Sequence, residues 1–300
     1  MVRRARVWRR TIAAVVGAVG SVMAAVPATA QVNRPGPWTD TIAPFRVIGN
    51  IHYVGSAGLS AWLITSPEGH ILIDVGLPEN AAMVERNITA LGFRLADVKY
   101  LLNTHAHLDH SGGMAQLKRS TGARVMAMAG DRAALERGVY IGSEQLKAFH
   151  FPPVRVDRVL RDRETVTLGG TTLTANLTPG HSAGCTSWTM PLEVDGGRHS
   201  VIFFCSASVA GNRLAPRPQY PGIVADYRQT FRRLRTMDGD ILLAPHAEMF
   251  DLRAKRAALE AQTPGQLNPF IVPGEFRSLA AELEAGFATE LARQRALARP

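Results

Sequence analysis

The sequence predicts an α/β protein in which two sheets face inward and helices lie outside them. Three observations support this class. Short apolar runs of strand length recur along the chain, bounded by Gly, Pro, Asn and Asp. Helical spacing appears between and after them, so that each half of the chain runs strands first and helices later. Finally, 46% hydrophobic against 20% charged residues in 300 positions is enough to bury a sizeable core.

In chain order, residues 31–41 are rich in Pro and Gly and form an irregular arm, with Trp38 as an aromatic to pack over the fold and flank a site. Residues 45–48, 52–54, 60–65 and 70–74 follow as strands, the last two joined by the turn Pro67-Glu68-Gly69. Residues 79–91 have helical spacing in Ala82, Met83, Ile88 and Leu91, and Gly92 supplies the stop. Residues 98–102 are a buried strand, 113–121 a helix and 124–128 a short strand. Residues 131–137 are helical, with Asp131 as the expected N-cap.

The second half opens with an irregular stretch, 138–156, holding Tyr140, Phe149, His150, Phe151 and Pro152-Pro153. A loop of this length is either a binding lid or a segment packed onto the body by its own aromatics, and both readings stand. His150 is expected at the surface. Strands follow at 159–160, 165–168, 171–177, 187–191, 201–205 and 241–243, with Gly169-Gly170 and Asp195-Gly196-Gly197 as hairpin turns. Residues 227–237 form an amphipathic helix through Tyr227, Phe231 and Leu234, and 252–262 and 275–298 are two more helices around a Pro/Gly linker.

The formal charge of +9 is concentrated at the start. Residues 1–30 hold five arginines and no acid, leaving 29 basic against 25 acidic residues, a net +4, in the remainder. No basic stripe interleaved with aromatics appears, which argues against a nucleic-acid partner. Arg3, Arg4, Arg6, Arg9 and Arg10 precede an apolar run at 11–26, and Ala28-Thr29-Ala30 supplies small residues before Gln31. This is the layout of a secretory signal peptide, and the run is short for a membrane span. The expectation is a periplasmic protein with no membrane contact after cleavage, a signal peptide at 1–30 and one domain at 31–300. Two cysteines, Cys185 and Cys205, remain in the exported part. An oxidising compartment and an even count suit one disulfide, and each cysteine lies close to a candidate site segment; two buried thiols are the other reading.

The chemistry is concentrated in Asn103-Thr104-His105-Ala106-His107-Leu108-Asp109-His110-Ser111-Gly112-Gly113, which directly follows the strand Val98-Lys99-Tyr100-Leu101-Leu102. Three histidines and a carboxylate within six residues are donors that zinc accepts. His105 and His107 point the same way on extended backbone, while Asp109 and His110 turn toward a second ion. His181, in Thr178-Pro179-Gly180-His181, and His246, in Ala244-Pro245-His246, also follow strands and sit in turns marked by Pro or Gly. Five histidines and one aspartate suffice for two three-ligand sites.

This pattern resembles the metallo-β-lactamase superfamily, from about Pro37 to the C-terminal helices. The nearest resemblance is to subclass B3, through Ile48-Gly49-Asn50-Ile51-His52-Tyr53-Val54-Gly55, the 105–113 segment, Thr178-Pro179-Gly180-His181-Ser182-Ala183-Gly184-Cys185-Thr186-Ser187-Trp188 and Cys205-Ser206-Ala207-Ser208. It implies a four-layer αβ/βα sandwich and two zinc ions, one on His105, His107 and His181, the other on Asp109, His110 and His246. It also implies a hydroxide held by the metals that attacks the β-lactam amide of a small-molecule substrate, with Asp109 orienting the nucleophile, in a monomer. Asp74 corresponds to an aspartate that supports the metal loop from behind its ligands. Ser206 and Ser208 resemble serines that bind the substrate carboxylate; ordinary turn serines are the plainer reading.

The position after strand 201–205 separates relatives. Glyoxalase II and lactonase relatives place a bridging aspartate there, and subclasses B1 and B2 a cysteine ligand. This chain has Ser206, with Cys205 one residue earlier and, by strand alternation, facing away from the metals. A slip of one residue in the register would bring Cys205 into the site. The alternative reading is another hydrolase on the same fold, a lactonase or thioesterase.

Overall fold

The computed structural model describes residues 34–194 and 196–298; the signal peptide expected at 1–30, and Asp195 of the hairpin turn, lie outside the described residues. Seven strands form the first sheet in sequence order: β1 (Phe45–Ile48), β2 (Ile51–Tyr53), β3 (Trp62–Ser66), β4 (Gly69–Ile73), β5 (Val98–Leu102), β6 (Arg124–Met128) and β7 (Arg158–Leu160). The first four pair antiparallel through short turns, and β4 to β7 pair in parallel. The helices that parallel crossovers require lie between them. These are α1 (Ala81–Ala90), α2 (Leu108–Ser111), α3 (Met114–Thr121) and α4 (Ala129–Arg137).

The second sheet holds β8 (Thr165–Leu168), β9 (Thr171–Leu177), β10 (Thr186–Val194), β11 (Gly197–Phe203) and β12 (Ile241–Leu243), in the order β12-β11-β10-β9-β8. α5 (Ile223–Leu234) precedes β12; α6 (Leu252–Glu260) and α7 (Glu275–Leu297) follow it. Two sheets with helices outside match the metallo-β-lactamase type of sandwich expected above.

Strand alternation explains the layers. Trp62, Ile64, Ile71, Ile73, Leu102 and Met126 share one core with Trp188 and Phe203 of the second sheet. Their neighbours Leu63, Leu72, Leu101 and Val125 face the other way and share a second core with α1 and α3. Both faces of the central strands are therefore apolar, as parallel strands covered on two sides require. On the far side, α5 and α7 meet where Phe287 lies between Tyr227 and Phe231, with ring centroids 4.9 and 5.5 Å apart. Among the described residues, no helix is long and apolar enough to cross a membrane.

Two local expectations are corrected. Asp131 is not the N-cap of α4: the helix starts at Ala129 with Met128 as its N-cap. The Asp131 carboxylate is instead taken by three donors from other segments, which compete successfully with its own helix end. And β11 ends at Phe203, two residues before Cys205, so strand alternation does not govern which way that cysteine faces. A covalent bond does: Cys205 is joined to Cys185, with Cα atoms 5.8 Å apart. Cys205 Sγ lies 3.7 Å from Nδ1 of His105, behind that ring.

The bridge closes a loop that contains β10 and β11, and a loop of that length stabilises a fold by about 2–4 kcal/mol. Unreduced, denatured protein should titrate no free thiol. Two thiols per chain would refute the bond.

Candidate metal centre

Each donor is delivered by the end of a strand. β4 is followed by Asp74, which takes φ +59°, rare for a residue with a side chain, and so turns its carboxylate across the end of β5. Its Oδ1 accepts the Thr104 N–H at 2.7 Å and its Oδ2 the Thr104 hydroxyl at 2.7 Å. With its proton spent on Asp74, the Thr104 oxygen accepts from His105 Nδ1 at 3.1 Å. The second sheet holds the same segment from its other side: Thr186 N–H donates to the Thr104 carbonyl and Trp188 Nε1 to the Asn103 carbonyl. His107 is the N-cap of α2, whose first turn carries Asp109 and His110 on the same short helix.

His181 follows β9 and donates its Nδ1–H to the Ser208 carbonyl at 2.8 Å. His246 follows β12, and its turn is held by segment 58–60: Ser60 N–H donates to Pro245 O, and Ala247 N–H to Gly58 O. The Trp38 ring lies 5.5 Å from the His246 ring.

The six expected donors come together as two sets. Within each of His105–His107–His181 and Asp109–His110–His246, one donor atom per residue lies within 4.8 Å of the others. His105 Nε2 and His181 Nε2 are 3.1 Å apart, and His110 Nε2 and His246 Nε2 are 3.2 Å apart. Asp109 Oδ2 lies 3.2 Å from the first atom of the second pair and 3.4 Å from the other. A tetrahedral ion with bonds of about 2.0–2.1 Å holds its donors roughly 3.3 Å apart. The donor chemistry fits as well. The hydrogen-bond partners of Nδ1 in both His105 and His181 assign the proton there, so two unprotonated Nε2 atoms face one another, an arrangement that a cation bound to both makes favourable.

Electrostatics favour the same state. Burial, reinforced by the neighbouring imidazoles, holds His105 and His107 well below the ordinary histidine pKa. Burial takes His181 down to about 4 and His246 to about 3. Neutral imidazoles are the form that ligates. For His110 burial opposes protonation, but the carboxylates of Asp109 and Asp74 outweigh it and raise its pKa. Burial pushes against ionisation of Asp109 too, yet His110 and His246 hold it far below the usual carboxylate range. Burial takes Asp74 up to about 6 against the bonds from Thr104.

The remaining expected residues lie around the two donor sets. Asp74 reaches His105 through Thr104, whereas its Oδ2 is 3.8 Å from His110 Nδ1, beyond hydrogen-bonding range. Ser206 is buried, and its oxygen accepts the Ser208 N–H and meets the Ser208 hydroxyl at 3.2 Å, a turn serine in its local bonding. Ser208 is half-buried with its hydroxyl 3.4 Å from His181 Nδ1. His150 bonds the Glu144 carbonyl, apart from both donor sets.

The 138–156 stretch is packed onto the body. Phe151, Val154 and Val156 are buried in the α1/α3 core. Arg213 donates to Gly142 O, Gln219 to Ile141 O, and Tyr140 OH to Asn212 Oδ1, at 2.6–2.7 Å. The Tyr140 ring lies 4.6 Å from the His107 ring, forming one wall of the centre. Asn212, which bonds the His181 carbonyl at 2.9 Å, and the bonds of Asp131 to Ala106, Ser182 and Gly184 were not evident from sequence. Neither residue stands in a motif, and each is linked to the site only by partners far along the chain.

The metallo-beta-lactamase superfamily model matches residues 57–246. Among solved structures, the chain is similar to BJP-1, a subclass B3 metallo-beta-lactamase of Bradyrhizobium japonicum. That likeness has 46% identity and a TM-score of 0.85, covering 88% of this chain and 99% of that one. It is similar to the FEZ-1 metallo-beta-lactamase from Legionella gormanii at 39% identity and a TM-score of 0.82, covering 87% and 99%. By sequence, it is 25% identical to a hydroxyacylglutathione hydrolase of Acidiphilium cryptum over 61% of each chain. The match spans 34% of the length of a second such hydrolase, from Methylococcus capsulatus, so the chain covers less than two thirds of these curated relatives. With the family model covering most of the chain, and both donor sets at the sheet ends within or bounding that match, this protein belongs to the metallo-β-lactamase superfamily.

Proposed function

We propose that this protein is a zinc-dependent β-lactamase that hydrolyses the strained amide of penicillins, cephalosporins and carbapenems. The observation that carries the reading is the pairing of two three-donor sets with a segment after β11 that offers no carboxylate. Phe204 is buried there, Cys205 is in a disulfide, and Ser206 and Ser208 are the polar residues that remain. The two solved structures described above, named as metallo-β-lactamases, support the substrate. A second reading is a thioesterase or lactonase on the same fold; the curated hydroxyacylglutathione hydrolases support the thioesterase.

In this reading His105, His107 and His181 hold one ion and Asp109, His110 and His246 the other. Divalent zinc supplies two things when bound: a water acidified to a pKa of about 7 and polarisation of the carbonyl under attack. The chain supplies the rest. The Asp109 carboxylate stays ionised across the working pH range because its neighbours hold its pKa far down. It accepts a hydrogen bond from the attacking water and fixes that water's direction. The Thr104 and Ser208 oxygens keep the protons of His105 and His181 on Nδ1, so that Nε2 of each stays free. The Tyr140 and Trp38 rings beside His107 and His246 restrict the approach of substrate to the open side. The Ser208 hydroxyl is available to a substrate carboxylate.

We also propose export to the periplasm, on the strength of the first 30 residues. Protein recovered from the periplasm should begin at Gln31, and an intact Met1 on that fraction would sink the proposal. For the chemistry, loss of carbapenem ultraviolet absorbance should be followed with zinc, after chelation and after zinc is restored. A lactone and a thioester should be run alongside. Hydrolysis of the carbapenem that chelation abolishes and zinc restores is expected; turnover of the lactone or thioester alone would overturn the substrate. Asp109→Ala should lower the zinc content measured by mass spectrometry, and kcat should fall with it by about 10²-fold or more. Full zinc content and full rate in that variant would remove Asp109 from the centre.

A further inference from the structure

We propose that Asp131 is a positioning residue that ties the loop carrying His105 and His107 to the loop carrying His181, and so sets the metal affinity of the three-histidine set selectively. This deepens the metal-centre reading and rests on it.

Asp131 stands in the first turn of α4, almost wholly buried, outside both donor sets. Its Oδ2 accepts the Ala106 N–H at 2.8 Å and the Ser182 hydroxyl at 2.9 Å. Its Oδ1 accepts the Gly184 N–H at 2.8 Å. Ala106 lies between His105 and His107, and Ser182 directly follows His181. One carboxylate therefore joins, through three bonds, the two segments that the first set draws from opposite sheets. Gly184 leads into Cys185, whose disulfide to Cys205 anchors the far end of the same turn behind His105.

The backbone is shaped for this contact. A Cβ on Gly184 would come within 2.3 Å of the Asp131 nitrogen, and a Cβ on Gly130 within 2.4 Å of the Ala183 carbonyl. Both glycines thus allow the start of α4 to rest directly on the 182–184 turn. No Lys or Arg forms an ion pair with Asp131 among the described residues. Its bonds are from neutral donors, so the buried carboxylate depends on all three being in place.

Among the described residues, no buried carboxylate joins the two loops of the second set in this way. His110 and His246 leave Nδ1 buried without a hydrogen-bond partner. Asp74 touches both sets, through Thr104 toward His105 and at longer range toward His110. The three residues that Asp131 bonds, Ala106, Ser182 and Gly184, all stand in the segments that carry the first set.

Asp131→Asn tests this without a change of volume. Whichever way the new amide turns, its NH₂ must face the N–H of either Ala106 or Gly184, so one of the two backbone ties is lost. Cobalt(II) binding to the metal-stripped full chain should be measured in two backgrounds. His246→Ala leaves the three-histidine set complete; His181→Ala leaves the other. Asp131→Asn should weaken cobalt binding about 10–100-fold in the first background and leave the second within about 3-fold. Ser182→Ala, which removes one bond and keeps both backbone ties, should show the same selectivity with a smaller loss; this variant decides the matter if Asp131→Asn does not fold. Equal weakening in both backgrounds would make Asp131 general scaffolding and overturn the proposal, as would unchanged binding in both. No cobalt binding by the otherwise unaltered protein would overturn the metal reading itself.

Discussion

Two pairs of imidazole nitrogens, 3.1 Å apart where buried and 3.2 Å apart where partly exposed, are the constraint on which the rest of this structure depends. In the first pair both protons are committed elsewhere, so the facing atoms are two acceptors. Unaided, they repel. The fold must therefore hold each ring by its other nitrogen and by its backbone. It does so for His105 with the Asp74–Thr104 relay and for His181 with the Ser208 carbonyl. Without those bonds the rings would be free to turn, and the donors would no longer converge on one point.

Burial helps in the same direction. Removing the histidines from water disfavours their charged forms, and crowding several imidazoles together disfavours them further. Neutral rings are what metal binding needs. His110 is the exception, because Asp109 and Asp74 flank it. The centre thus contains one carboxylate that stays ionised, Asp109, among rings that mostly stay neutral. One set presents only nitrogen and the other mixes nitrogen with oxygen.

The surroundings decide what such a centre acts on. Sequence relatives include hydroxyacylglutathione hydrolases while solved structures include β-lactamases. Around this chain's centre stand a serine turn after β11 with no carboxylate, a disulfide behind His105, and a wall formed by Tyr140. That wall is stiff because 138–156 and 212–219 are cross-linked by Arg213, Gln219 and Asn212.

Short-range information determined much of this protein. Apolar runs bounded by turn residues placed all but the ends of the strands, since strand and turn preferences act over a few residues. The crowding of His105, His107, Asp109 and His110 marked the centre because its donors are neighbours in sequence. His181 and His246 were legible for a similar reason, each standing in a Pro- or Gly-marked turn after an apolar run. Tertiary structure alone decided the rest. Asp131 has the sequence context of a helix cap, yet partners 25, 51 and 53 residues away claim its carboxylate. Tyr140 and Asn212 carry no local mark of a site, and the direction of Cys205 was settled by Cys185, 20 residues earlier. A buried polar atom bonds whichever partner the fold brings within about 3 Å. That partner is chosen by how the sheets pack, which no window of neighbouring residues contains.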